Sequence, residues 1–251
     1  MKRHLLTSVS LMVLTALTAT DARAGGDRER VLQRGTDAAT GAEVTVARGD
    51  SGLIAINVQA PDLRLRKELV AGRMVTSVRT PGDELTIEFD RRTFTVTGGG
   101  RRVEVTPDHP DRIEAARSII ANSTAAARGA TLLGRMSFGP EAPMRVMLLS
   151  TRVLLQAGEP DETTKADAAR WVQSARTRVR AGITRVSIDD GPGDCWAKYA
   201  AEAIAAYMEY EDCMANLHWW EVLGPAACAV VYDMRAIGAF SWWIGCVSFN
   251  S

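Results

Sequence analysis

From residue 42 to residue 106 apolar and polar side chains alternate with a period of two. Val44 and Val46 stand between polar neighbours, Leu53 to Val58 is a short and mostly apolar run, and Met74 to Val78 follows Gly72. Leu63, Leu65 and Leu69 are interleaved with Arg64, Arg66 and Glu68, with a break in the rhythm near Lys67. In the clearest stretch Leu85, Ile87 and Phe89 oppose Thr86, Glu88 and Asp90, and Phe94 and Val96 then alternate with Thr93, Thr95 and Thr97. Alternation of this kind sends one set of side chains to each face of a strand. Pro81-Gly82-Asp83, Asp90 to Arg92 and Gly98-Gly99-Gly100 supply turns. The pattern predicts six or seven antiparallel strands in a meander with one apolar face, and such a face needs a cover. Residues 25–41 are rich in Gly and charge and read as a flexible lead-in.

The period then changes to that of a helix. Ile113, Ala116, Ile119, Ile120 and Ala127 recur at helical spacing within Pro110 to Leu133, with Asp108 as the expected N-cap. Ala142 to Ala157 predicts a second helix closed by Gly158 and Pro160, and a third runs from a Thr163 or Thr164 cap to Ala181, stopped by Gly182. Arg170, Arg176, Arg178 and Arg180 on the third helix read as a solvated face rather than a docking face, with cations near the C-terminal end. Asp189, Asp190, Gly191, Pro192, Gly193 and Asp194 read as a linker and candidate processing site.

Beyond residue 194 the sequence repeats itself. Cys195, Tyr199, Ala203-Ile204, Ala206-Tyr207, Tyr210 and Cys213 match Cys228, Tyr232, Ala236-Ile237, Ala239-Phe240, Trp243 and Cys246, and the Cys of each half are 18 residues apart. Steps of three and four are helical, so the two Cys of one half lie on one stripe, about 27 Å apart. A disulfide needs Cα atoms within about 7 Å, which excludes a bond inside either half. A parallel pair would join Cys195–Cys228 and Cys213–Cys246, but residues 214–227 are too few to retrace a helix comfortably if they also fold locally. An antiparallel hairpin joining Cys195–Cys246 and Cys213–Cys228 is therefore expected. Tyr199, Tyr210, Tyr232 and Trp243 would fill its seam, with Tyr207 and Phe240 at the edge. The fold class is thus α+β: an antiparallel β-meander covered by helices over 42–188, then a disulfide-linked α-helical hairpin over 195–251.

Composition adds compartment. Met1-Lys2-Arg3-His4 is a basic head, Leu5 to Ala19 is mostly apolar, and Ala22-Arg23-Ala24 has the small-x-small form of a cleavage site. Residues 1–24 read as a secretory signal peptide cut at Ala24-Gly25, giving a secreted or periplasmic product in which four Cys form disulfides. Formal charge is near zero overall but is +3 over 25–190 and −5 over 191–251. Neither segment has the dense basic cluster that nucleic acid requires.

Catalytic signatures are missing from the chain. His109 and His218 are the only His of the mature chain, and HxxxH, HExxH, CxxC and G-x-S-x-G are absent. No catalytic, cofactor-binding or metal-binding residue is assigned, and no cofactor is expected. The surplus aromatics Trp196, Trp219, Trp220, Trp242 and Phe249 form a candidate interaction patch for a protein partner or a membrane surface. The leading expectation is an exported non-enzymatic protein whose Trp-rich hairpin is an interaction module. One alternative is a precursor that releases the hairpin as a toxin or antimicrobial peptide. Another is an extracytoplasmic enzyme with an acid/Arg site in the β-rich region.

Overall fold

The computed structural model describes residues 29–90, 93–106, 108–137, 143–183, 192–215 and 224–249. The signal peptide, Asp189, Asp190 and Gly191 of the linker, and Trp219, Trp220 and His218 lie outside them, as do the side chains of Trp196, Phe249, Arg178 and Arg180.

Eight strands form one antiparallel sheet in sequence order: β1 (Glu29–Thr36), β2 (Glu43–Gly49), β3 (Ile54–Ala60), β4 (Leu63–Val70), β5 (Arg73–Thr80), β6 (Asp83–Asp90), β7 (Thr93–Gly98) and β8 (Arg101–Val105). The meander and its buried face follow the alternation. Ile54, Ile56, Val58, Leu63, Leu65, Met74, Val78, Leu85, Ile87 and Val96 are all buried.

Strand β1 corrects the flexible lead-in. Its side chains are exposed almost throughout, so period-two burial leaves no trace in its sequence. It is held through the backbone to β2, with a bulge between Val31 and Gln33, and Arg34 pairs with Glu43 at 2.8 Å. A bulged, charged edge strand is one that resists pairing with another chain.

The expected long helix over Pro110 to Leu133 is broken in two: α1 (Ile113–Asn122) and α2 (Thr124–Arg135), preceded by a single 3₁₀ turn at Pro110–Arg112. The break lies at Ser123, whose extended backbone ends α1 and whose hydroxyl accepts the Ala126 N–H at 3.1 Å to cap α2. Asp108 does not cap α1; Arg112 occupies that position without a side-chain bond. Next come α3 (Pro143–Leu155) and α4 (Glu162–Ile183). The α4 cap is Asp161, which accepts the Thr164 N–H at 2.7 Å, rather than Thr163 or Thr164.

Helices α5 (Pro192–Ala215) and α6 (Gly224–Phe249) are joined by Cys195–Cys246 and Cys213–Cys228, with Cα separations of 5.9 and 5.8 Å. Pro192, Gly193 and Asp194, expected in the linker, are the first turn of α5, a place where Pro costs no hydrogen bond. Tyr199, Tyr210 and Tyr232 are buried as expected, with Tyr210 stacked on Tyr232 at 5.3 Å and Tyr207 edge-on to Tyr232 at 5.8 Å. Burial drives all four phenols far above their ordinary pKa. Phe240, expected at the edge, is also buried, because α6 packs on α3 as well as on α5. One continuous apolar cluster runs from the sheet through α1–α4 into this helix pair.

Candidate functional site

Among the described residues, polar chemistry gathers in a buried ion pair in the core, at the turn end of the sheet, and in a row of charges on the solvent face of the sheet beside that end.

The buried pair explains the break in rhythm of β4. Lys67 stands in the apolar register with Leu63, Leu65 and Leu69, and it occupies a cross-strand row with Val46, Ile56, Thr76, Ile87 and Val96. Its side chain is 0% exposed, as is that of Asp233 on α6, and the two form an ion pair. Lys67 Nζ also donates to Thr151 Oγ1 at 3.0 Å, while Asp233 Oδ1 accepts the Ser150 hydroxyl at 2.5 Å. Burial pulls the Lys67 ammonium below its ordinary pKa, and Asp233 acts against that fall. A Lys, an Asp, a Ser and a Thr in contact resemble catalytic equipment, but every one of them is buried. Reacting groups need room for a substrate atom beside them, and this cluster is closed. Its role is to fasten α3 and α6 to the middle of the sheet.

The turn end works differently. In a meander, alternate turns fall at the same end of the sheet. The turns after β1, β3 and β5 bring Asp37, Asp62 and Asp83 to one end, and each acid holds helix α2 or its flank. Asp83 Oδ2 accepts Ser123 Oγ at 2.8 Å and the Ala125 N–H at 2.9 Å, at the helix start. Asp62 pairs with Arg128 in the middle. Asp37 accepts the Ser137 N–H at 2.8 Å just past the helix end. The Ala125 amide, helped by the Ser123 and Thr124 hydroxyls, holds Asp83 below its ordinary pKa. Burial pushes Asp37 up, but its bonds from Thr40 and Ser137 outweigh that and leave it lowered.

Beside these turns lies an open cleft of about 410 Å³, lined by Glu43, Gln59, Asp62, Arg64, Arg79 and the rims Pro61 and Pro81, among others. Cross-strand pairing sets Glu43, Gln59, Arg64, Arg79 and Glu84 in one row over five strands. Arg79 is paired with Glu84 at 2.6 Å. Arg64 is exposed and has no ion-pair partner among the described residues. Two like charges directly opposite on neighbouring strands repel unless something neutralises them. Arg64 and Arg79 are such a pair, and only one has an acid. Glu43 and Glu84 are four strands apart, about 19 Å at the usual strand spacing, too far to act as the paired carboxylates of a glycosidase.

The expected interaction patch is reached at one point. Trp242 is 38% exposed, with the Lys198 ammonium 4.5 Å from its ring centroid. The other four aromatics of that patch lie outside what is described. Sequence reading missed Lys67 and Asp233 as a pair, although both carried a signal: Lys67 interrupts an apolar register, and Asp233 is one of only two charges in α6, the other being Arg235. No group of three or more His, Cys, Asp or Glu suited to a metal ion occurs among the described residues, and no helix among them is long and apolar enough to cross a membrane. No family model, curated protein or solved structure matches the chain.

Proposed function

We propose that this chain is an extracytoplasmic protein that acts through the acid/Arg row of its sheet, binding a polar ligand with an anionic group at Arg64 and Arg79. The observation that carries this reading is the direct opposition of those two arginines at the floor of a cleft, with a single acid between them. An anionic ligand group relieves the repulsion and is gripped by planar guanidinium donors. The cleft suits one small molecule, and Pro61 and Pro81 give it apolar rims on which a saccharide ring can rest. Export and disulfide formation belong to the same reading: both pairs of Cys are oxidised, which fits a compartment outside the cytoplasm.

Calorimetric titration with a short oligogalacturonate, its neutral methyl ester and inorganic sulfate tests it. The acidic saccharide should bind, the ester should bind at least tenfold more weakly, and Arg64→Gln should remove the difference. Equal binding of acid and ester, or no binding of either, defeats the reading. Product analysis of the same mixtures separates a binding protein from an enzyme. Cleavage that is lost in Glu43→Gln while binding persists makes the site catalytic.

A second reading keeps a contact role for the hairpin. Val231, 45% exposed, and Trp242 are eleven residues apart on α6 and share its outer stripe with Arg235. A protein partner or membrane surface would meet that stripe rather than the aromatic seam. Release of the hairpin as a peptide is the least supported alternative, since it would expose Asp233 and leave Lys67 buried without its counter-charge.

A further inference from the structure

A second cleft lies on the far side of α2, between α1, α2, α3 and the turn into α4. It measures about 580 Å³ and is lined by the apolar Ile120, Ala130 and Leu155 and by the polar Arg135, Arg152 and Asp161, among others. Arg152 is its distinctive feature. The side chain is only 8% exposed and is held by Asp167 at 3.1 Å and Asp161 at 3.3 Å. Its guanidinium lies flat against Gly134: a Cβ at that position would sit 2.6 Å from Arg152 Cζ and 2.8 Å from Nη1. The missing side chain is what lets a buried cation reach the cleft.

Donors outnumber free acceptors there. Thr131 spends its proton on the Ala127 carbonyl at 2.9 Å. The Gln156 side chain is turned to its neighbours: its Oε1 lies 3.0 Å from Thr164 Oγ1, and its amide bonds Asp161. Asp161 is already engaged by the Thr164 N–H at 2.7 Å, the Thr164 hydroxyl at 2.7 Å and Arg152 at 3.3 Å. Arg135 adds an exposed cation at the mouth. Two arginines and one carboxylate stand in the lining, and Arg152 is also paired with Asp167 outside it. Arg152 has five N–H groups, and its two acidic partners use only part of them.

We propose that this cleft is a binding site for a small organic monoanion with a short apolar body, a medium-chain carboxylate in chemical class. The carboxylate meets Arg152 and Arg135, and the hydrocarbon lies along Ile120, Ala127, Ala130 and Leu155. The site is separate from the arginine row of the sheet and stands whether or not that row binds anything.

The test uses the full disulfide-bonded chain with hexanoate, 1-hexanol and hexylammonium as probes, read by calorimetry and by amide shifts at Gly134 and Thr131. Hexanoate should bind at least tenfold more tightly than hexanol, and hexylammonium should not bind. Gly134→Ala keeps every charge but pushes the guanidinium aside, and should weaken hexanoate tenfold or more. Ala127→Trp, at an exposed position beside the mouth, should abolish binding with an unchanged melting temperature, so the result does not depend on Gly134→Ala folding. Arg64→Gln should leave hexanoate binding unchanged. Hexanoate and hexanol binding equally, no probe binding, or wild-type affinity in Ala127→Trp overturns the proposal.

Discussion

Replacing Asp233 by Leu should be among the most damaging single changes in this chain, and replacing Lys67 by Met at the same time should undo most of the damage. Asp233 and Lys67 are both fully buried, and the carboxylate also takes the Ser150 hydroxyl. Asp233→Leu leaves the Lys67 ammonium in the core with only Thr151 Oγ1, at 3.0 Å, as partner. Breaking one side of a buried pair costs about 3–5 kcal/mol. In Lys67→Met/Asp233→Leu no charge remains. Ser150 and Thr151 are not orphaned either, because the Met147 carbonyl lies 2.8 Å from each hydroxyl and accepts the Ser150 proton once Asp233 is gone. The double variant should therefore lie within about 1–2 kcal/mol of wild type, or above it. Urea unfolding with the disulfides intact, followed by Trp fluorescence and far-UV circular dichroism, measures both. The two signals should coincide, since sheet and hairpin share one core. Asp233→Leu costing under about 1 kcal/mol, or a double variant as unstable as the sum of the singles, would refute the reasoning.

Thr76 Oγ1 is buried with no hydrogen-bond partner, so Thr76→Val should be neutral or stabilise by about 1 kcal/mol in the same urea assay. The Cys195–Cys246 bond closes 51 residues and Cys213–Cys228 closes 15. Loop entropy then makes removal of the first pair cost about 4 kcal/mol and of the second about 3, and paired Cys→Ser variants should unfold in that order. Asp83→Ala removes a capping carboxylate from α2 and should cost about 1–2 kcal/mol by denaturation. Asp37 and Asp83 both have folded pKa values below 3.8. Their stabilisation is complete above that ordinary value and is lost as pH falls through the lower folded values, so urea midpoints should be flat from pH 5 upward and drop below pH 4, less steeply in Asp83→Asn.

The meander was legible because its buried strands each repeat the same two-residue rhythm, and the disulfides were legible because 18 residues make whole helical turns. What escaped was whatever leaves no periodic mark. Strand β1 buries almost no side chain, so its pairing rests on the backbone and on exposed ion pairs such as Arg34–Glu43. The break at Ser123 depends on Asp83, forty positions earlier, reaching the start of α2. Lys67 and Asp233 are 166 positions apart, and nothing local tells a core lysine with a distant acid from a lysine at a strand irregularity. The composition change near residue 190 was real, but it marks the onset of an aromatic, disulfide-bonded layer within the same core rather than a separate body.

The topology decides what the acids of the turns do, and so where a ligand can be met. A turn Asp is ordinarily there to bond its own backbone, and Asp37 does so through the Thr40 N–H at 2.9 Å. Because alternate turns of a meander share one end, Asp37, Asp62 and Asp83 fall in a line, and α2 lies along it with its start, middle and end each held by one of them. Those three carboxylates are thereby committed to structure. The cations that line the clefts lie elsewhere: Arg64, without an ion-pair partner among the described residues, on the open face of the sheet, and Arg152, held by Asp161 and Asp167, against Gly134 of the same helix. The helix so fixed supplies Ala127, Ala130, Thr131, Gly134 and Arg135 to the second cleft, whereas the first is lined by strands and turns, among them the turn that carries Asp62. Arg128→Gln leaves Asp62 unpaired in the lining of the first cleft and frees the middle of α2 beside the second, so it should weaken anion binding in both, whereas Arg64→Gln and Ala127→Trp should each affect one side only. Titration of the acidic saccharide and of hexanoate against the same three variants reads that pattern directly, and unchanged binding of either ligand in Arg128→Gln would show that the Asp62–Arg128 pair does not support that cleft.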